Sequence, residues 1–220
     1  MTEPSGGSKK PKRPVAVPAA ALVAVTALGI TALLGGFAEV PDPVPPQYGE
    51  GAVLDQGQFS TQFVAAKVAT QKATAAWDTD KRFVELVFKV TNQGKATAMV
   101  GLPPDKPEHA ISLTSFAGSL VKVTPQIQVK GVPSVYGLSK NAKSGQLQPG
   151  VPTTVILRYD LDKAATPPKK VTLDVGSFAY EPGFNDPSFH WNLVSEEADD
   201  VWSPVVQAQV TLPVHGAEAT

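Results

Sequence analysis

Few residues in this sequence could do chemistry, and their spacing narrows the choice further. The chain has three histidines, His109, His190 and His215, and no cysteine. No two of the histidines stand at the separation that puts a pair of ring nitrogens on one metal ion, so no zinc site is expected. The lack of cysteine removes disulfides, thiolate nucleophiles and thiolate metal ligands together. A phosphate-binding glycine loop, a Gly-x-Ser-x-Gly elbow and a His-Glu-x-x-His pair do not occur. Glu196, Glu197, Asp199 and Asp200 form the densest acidic run of the C-terminal region. Calcium takes clustered oxygen ligands, but a calcium loop alternates its acids and turns on a glycine. This run does neither, and it reads as a solvated loop. The expectation is a protein without metal or cofactor, and not an enzyme.

Aromatic side chains give the stronger signal. Residues 178–202 hold Phe178, Tyr180, Phe184, Phe189, Trp191 and Trp202, with Pro182-Gly183 and Asp186-Pro187 supplying turns. Rings carried on a long connection can stack on sugar rings or anchor a protein partner; the same rings can equally cap one end of a core. Tyr180, Phe184, Phe189, Trp191 and Trp202 are the expected partner- or ligand-binding residues. A weaker candidate is 126–145, which holds Val135, Tyr136 and several lysines and reads as a mobile loop.

The elements that must position these residues show a period of two. Val84, Leu86, Phe88 and Val90 alternate with Glu85, Lys89 and Thr91. The same alternation sets Val155, Leu157, Tyr159 and Leu161 against Ile156, Arg158 and Asp160, and it recurs at 171–175 and 206–212. Each is a strand with one apolar and one polar face. Less regular strands are expected at 58–68 and, as a pair, within 111–128. Turns at Asn92-Gln93-Gly94, Pro149-Gly150 and Pro167-Pro168 separate them. About seven short antiparallel strands and no convincing helix predict an all-β, immunoglobulin-like sandwich over 53–214, followed by a short tail at 215–220.

Ahead of that domain, 15–37 is an uncharged, apolar run. As a helix it would be about 35 Å long, enough to cross a hydrocarbon core of about 30 Å. Residues 1–14 form a polar tail with Lys9, Lys10, Lys12 and Arg13 against Glu3, leaving 15 basic and 19 acidic residues in the remainder. This asymmetry predicts a single-pass signal anchor in the cell membrane, with the N-terminus cytoplasmic and the C-terminal domain outside. Gly36-Phe37-Ala38 offers an alternative cleavage site, but the run is longer than the roughly 7–15 apolar residues of a secretory signal. Ala20, Ala24, Ala27, Thr31 and Gly35 line one face of such a helix and would let another helix approach closely. Residues 38–52 are proline-rich and read as an extended spacer. A basic stripe is lacking, so no nucleic-acid partner is expected.

Val-Thr-Asn-Gln-Gly at 90–94, then Leu-Gln-Pro-Gly at 147–150 leading into Thr-Thr-Val-Ile-Leu-Arg-Tyr, is similar to small immunoglobulin-like extracytoplasmic domains of unknown function. Such domains are found in membrane-anchored Gram-positive, actinobacterial-type envelope proteins. The resemblance covers roughly 59–175 and implies a binding or accessory domain. The expected function is that of an accessory subunit whose exported domain docks an integral membrane protein complex or a second copy of itself. The alternative is an envelope module that recognises glycan or lipid-linked sugar through 178–202.

Overall fold

The computed structural model describes residues 44–75, 77–139, 142–183, 187–198 and 201–216. The expected membrane helix at 15–37, with its face of Ala20, Ala24, Ala27, Thr31 and Gly35, lies outside them, as do the basic tail and most of the spacer. No helix among the described residues is long and apolar enough to cross a membrane. The chain divides into two compact units, Met1–Val44 and Pro45–Thr220, and the second carries the fold described below.

That unit is all-β and sandwich-like. Its strands among the described residues are β1 (Gln47–Tyr48), β2 (Val53–Asp55), β3 (Phe59–Gln71), β4 (Lys81–Asn92), β5 (Ala98–Met99), β6 (Leu120–Thr124), β7 (Ser134–Ser139) and β8 (Ala142–Ser144). They continue with β9 (Gln146–Leu147), β10 (Thr153–Asp160), β11 (Lys170–Val175), β12 (Phe178–Pro182), β13 (Phe189–Leu193), β14 (Ser195–Ala198), β15 (Val201–Pro204) and β16 (Ala208–His215). The main ladder runs β6-β11-β16-β3-β4-β10-β7-β8. Its two halves join where the end of β16 pairs in parallel with β3, Val214 opposite Ala66. Among the described residues the first strand is at Gln47, in the stretch that reads as spacer, where β1 pairs in parallel with β16.

Alternation explains the core. Val84, Leu86, Phe88 and Val90 of β4 are fully buried, as are Val155 and Leu157 of β10 and Val171, Leu173 and Val175 of β11. Strand β3 shows the pattern poorly in sequence because a bulge between Phe63 and Ala65 turns the half-exposed Val64 outward and resets the phase. Phe59, Phe63, Phe88 and Phe116 meet edge to face, with centroids 5.5–5.8 Å apart.

Three expectations are corrected. The first half of 111–128 is not a strand: two 3-10 turns, Pro107–Ser112 and Phe116–Ser119, precede β6. Pro107 opens the first of these turns just ahead of the stretch, and Phe116 is set into the core. Residues 126–145, read as a mobile loop, contain β7 and β8, and Tyr136 is buried with Lys143 Nζ 4.2 Å from its ring centroid. Glu85, expected on a solvated face, is also buried, because β4 is central and its neighbours cover it. Arg158 donates to Glu85 from Nε at 2.8 Å, and Lys67 approaches at 3.7 Å. The Arg158 guanidinium lies 4.5 Å from the Phe83 ring centroid.

One buried polar cluster ties the sheets together. Gln56 is fully buried, and its Nε2 donates to Ser119 Oγ and to the Gly176 carbonyl, both at 2.8 Å. Thr61 Oγ1 donates to Gln56 Oε1 at 2.6 Å, the Gln56 N–H donates to Phe59 O, and its carbonyl accepts from Phe178 N. Every polar group of this glutamine is used, so burial costs it little.

Candidate functional site

The aromatic segment 178–202 folds as two hairpins, β12 with β13 and β14 with β15. In the first, Phe178 stands opposite Leu193, Tyr180 opposite Trp191 and Pro182 opposite Phe189. The period of two puts all six on one face. That face leaves the core and runs into solvent. Phe178 and Leu193 are buried, Trp191 is half-buried, and Tyr180 and Phe189 are 56% and 53% exposed. The three outer rings form a continuous tilted stack, Tyr180 to Trp191 at 5.1 Å and Tyr180 to Phe189 at 5.4 Å.

Glycines seat Trp191. A Cβ at Gly57 would lie 3.4 Å from Trp191 Cζ3, and a Cβ at Gly94 would lie 3.3 Å from Trp191 Nε1. Gly57 has φ +79° and passes so close to β12 that its Cβ would fall 2.2 Å from the Phe178 carbonyl oxygen. The root of the hairpin therefore admits only glycine.

The facing wall is the loop from β4 to β5. Gly94 N donates to Asn92 Oδ1 at 2.9 Å, and Asn92 Nδ2 donates to the carbonyls of Ala96 and Leu147 at 2.8 and 3.0 Å. The Asn92 carbonyl accepts from Gly150 N at 2.8 Å. The two sequence motifs at 90–94 and 147–150 thus meet through one fully buried asparagine. Gln93 closes the base: with its amide turned to the orientation its neighbours require, the side-chain nitrogen donates to the Gly57 carbonyl at 2.7 Å and to Asp55 Oδ1 at 3.1 Å.

Between the arm and this loop lies a groove of about 600 Å³, within the range of small-molecule sites. Tyr180, Phe189 and Trp191 line one side; Lys95, Thr97 and Met99 line the other, with Gln58 and Gln93 between them. Gln58 is 8% exposed, and its Oε1 is buried without a hydrogen-bond partner among the described residues. An orphaned acceptor of this kind costs about 1–3 kcal/mol.

The other expected site residues are placed elsewhere or not described. Phe184 lies outside the described residues, and Trp202, 51% exposed, stands on β15 opposite Glu197, in the second hairpin. Asp199 and Asp200 also lie outside; among the described residues no cluster of three His, Asp or Glu could hold a metal. Each histidine has its own partner. His109 Nδ1 is 2.6 Å from Asp105, His215 Nε2 is 2.9 Å from Glu50, and His190 Nε2 is 2.7 Å from Ser188 Oγ. Ser188 and His190 are exposed on the arm. A second concavity of about 710 Å³ mixes Asp80, Asp160 and Asp162 with Lys81, Arg82, Lys130 and Lys163. Its charges nearly cancel, so it selects no sign of ligand.

Gln58, Thr97 and Met99 are absent from the sequence-derived candidates. The Asn92-Gln93-Gly94 turn marked the backbone beside them, but nothing in composition or spacing joined them to the aromatic arm.

No family profile and no curated protein matches this sequence. A solved structure it aligns with is an uncharacterised β-sandwich protein from Clostridium difficile, at 8% identity over 80% of this chain and 97% of the other, with a TM-score of 0.38.

Proposed function

We propose that this chain is a non-enzymatic binding module whose groove beside the β12–β13 arm takes a glycan. One observation carries the reading: a stack of Tyr180, Trp191 and Phe189 extends from the core along a groove whose remaining lining includes Gln58, Gln93 and Thr97. Sugars offer an apolar ring face and a rim of hydroxyls, and this lining supplies a partner for each. The same reading includes an immunoglobulin-like architecture, export, and anchorage in a Gram-positive-type envelope through 15–37. The charge asymmetry about that segment supports the topology.

Tyr180→Ala and Phe189→Ala test the groove. Both rings are more than half exposed, so each variant should melt within about 2–4 °C of the parent. Loss of one stacked ring should weaken binding of a soluble cell-wall glycan fragment about three- to tenfold by titration calorimetry. Unchanged affinity in both variants overturns the reading.

A second reading, docking of an integral membrane partner, is supported by Val201 and Trp202, 57% and 51% exposed on the other hairpin. Mild-detergent purification should then recover a stoichiometric partner, and Trp202→Ala should release it. Recovery of a lone monomer counts against this reading.

A further inference from the structure

Gln58 is out of character with its surroundings. Gln56 and Asn92, the buried amides closest to it in the chain and in the ladder, use every side-chain polar group. Gln58 keeps its main-chain groups occupied, with N–H to the Gln56 carbonyl at 3.1 Å and carbonyl from Gln93 N at 2.8 Å. Its side-chain oxygen is buried and has no partner among the described residues. An aliphatic side chain would avoid that penalty, so the polar group works against the stability of the free protein.

Position gives the polar group a use. Gln58 lines the groove, and a Cβ at Gly94 would meet Gln58 Cγ at 4.0 Å on one side and Trp191 Nε1 at 3.3 Å on the other. Gly94 therefore leaves a shallow floor, with the Trp191 indole along one edge and the Gln58 side chain along the other. A ligand seated there needs an N–H or O–H donor beside a small apolar group. An acetamido substituent has both, its N–H for the amide oxygen and its methyl for the indole.

We propose that Gln58 is the polar anchor of the groove and selects N-acetylated hexosamine units, its side chain turning outward to accept the acetamido N–H. This rests on the glycan reading above and deepens it. The orphaned oxygen gains its missing partner only in the complex, so binding relieves a cost that the free protein carries.

The test uses the full chain in detergent, with N,N′,N″,N‴-tetraacetylchitotetraose and cellotetraose as probes. The parent should bind the acetylated sugar and discriminate against cellotetraose. Gln58→Met should weaken acetylated-sugar binding about tenfold, by loss of a buried hydrogen bond. The same substitution should raise the melting temperature by about 2–6 °C, because it removes the orphan. In the parent, the Gln58 side-chain amide resonances should shift on titration while those of Gln56 and Asn92 stay fixed. That readout needs no variant to fold. Parent-like affinity of Gln58→Met, or an unmoved Gln58 amide in a parent that binds, overturns the anchor and leaves the groove reading standing. Equal affinity for the two sugars overturns the acetamido selection. Failure of the parent to bind either sugar overturns the glycan reading and the anchor together.

Discussion

Replacing Gln56 with leucine should remove the junction between the sheets while nearly conserving volume. The side chain is fully buried, and three hydrogen bonds converge on it, to Ser119 Oγ, to the Gly176 carbonyl and from Thr61 Oγ1. Ser119 keeps its donation to the Phe116 carbonyl at 2.7 Å, so it loses least. The Gly176 carbonyl and the Thr61 hydroxyl lose their side-chain partner around a fully buried position. At about 2 kcal/mol for each orphan, less about 1 kcal/mol for the more apolar side chain, the net loss is about 3 kcal/mol. For a domain of this size that lowers the melting temperature by about 6–12 °C. Urea denaturation should show a lower midpoint at unchanged slope. Adding Thr61→Val removes one of the orphans, so the double variant should lose about 1 kcal/mol less than the sum of the singles. A Gln56→Leu protein within about 0.5 kcal/mol of the parent would refute the reasoning, since that is the scatter of an ordinary surface substitution.

Two further outcomes follow from the charged groups. Glu85→Ala leaves Arg158 without its carboxylate in a half-covered site and should cost about 2–4 kcal/mol; Lys67→Ala, which removes a half-exposed partner 3.7 Å away, should cost under about 1 kcal/mol. Equal losses in chemical denaturation would contradict the central placing of the Arg158 contact. At the tip of the β3–β4 hairpin, Asp80 accepts from Lys72 Nζ at 2.7 Å and from Ala73 N at 2.9 Å. The Lys72 hydrogen bond, followed by that from Ala73, holds the Asp80 carboxyl below its usual 3.8. Because the folded value is depressed, the tie is present above the unfolded value and is lost as pH falls through the folded one. Carboxyl carbon NMR should show Asp80 titrating below 3.8, with Ala73 amide exchange accelerating over the same interval. Titration at or above 3.8 would rule the tie out.

Alternation made β4, β10, β11 and β16 legible, because each packs one face on the core and the other outward. It blurred where a local device broke the phase, as at the Val64 bulge, or where 3-10 turns around Phe116 stand in place of a strand. Burial of Glu85 was invisible for another reason. Its cover comes from Lys67 and Arg158, residues that are neighbours only once the register of three strands is set. The aromatic segment posed a choice between core cap and exposed platform, and the hairpin is both: Phe178 is core, Phe189 is surface, and the same face carries them.

That continuity bears on how the groove could bind. A platform on a free loop would have to be ordered by its ligand, at a cost in entropy for every immobilised side chain. Here the order exists beforehand. Phe178 is locked edge-on to Phe59 at 5.5 Å, Gly57 allows β12 to lie against the turn, and Gln56 fixes that turn through the Phe178 N–H. On the opposite side Asn92 holds the loop to Leu147 and Gly150. The glutamine, glycine and asparagine are not among the residues that line the groove, yet they set the spacing between Trp191 and the facing wall. Only Gln58 stands outside this satisfied framework, and it lines the groove. A rigid frame with one buried acceptor left unpaired beside the space between its walls is an arrangement in which a single hydrogen bond contributes much to selectivity, because only the Gln58 side chain has to turn to form it.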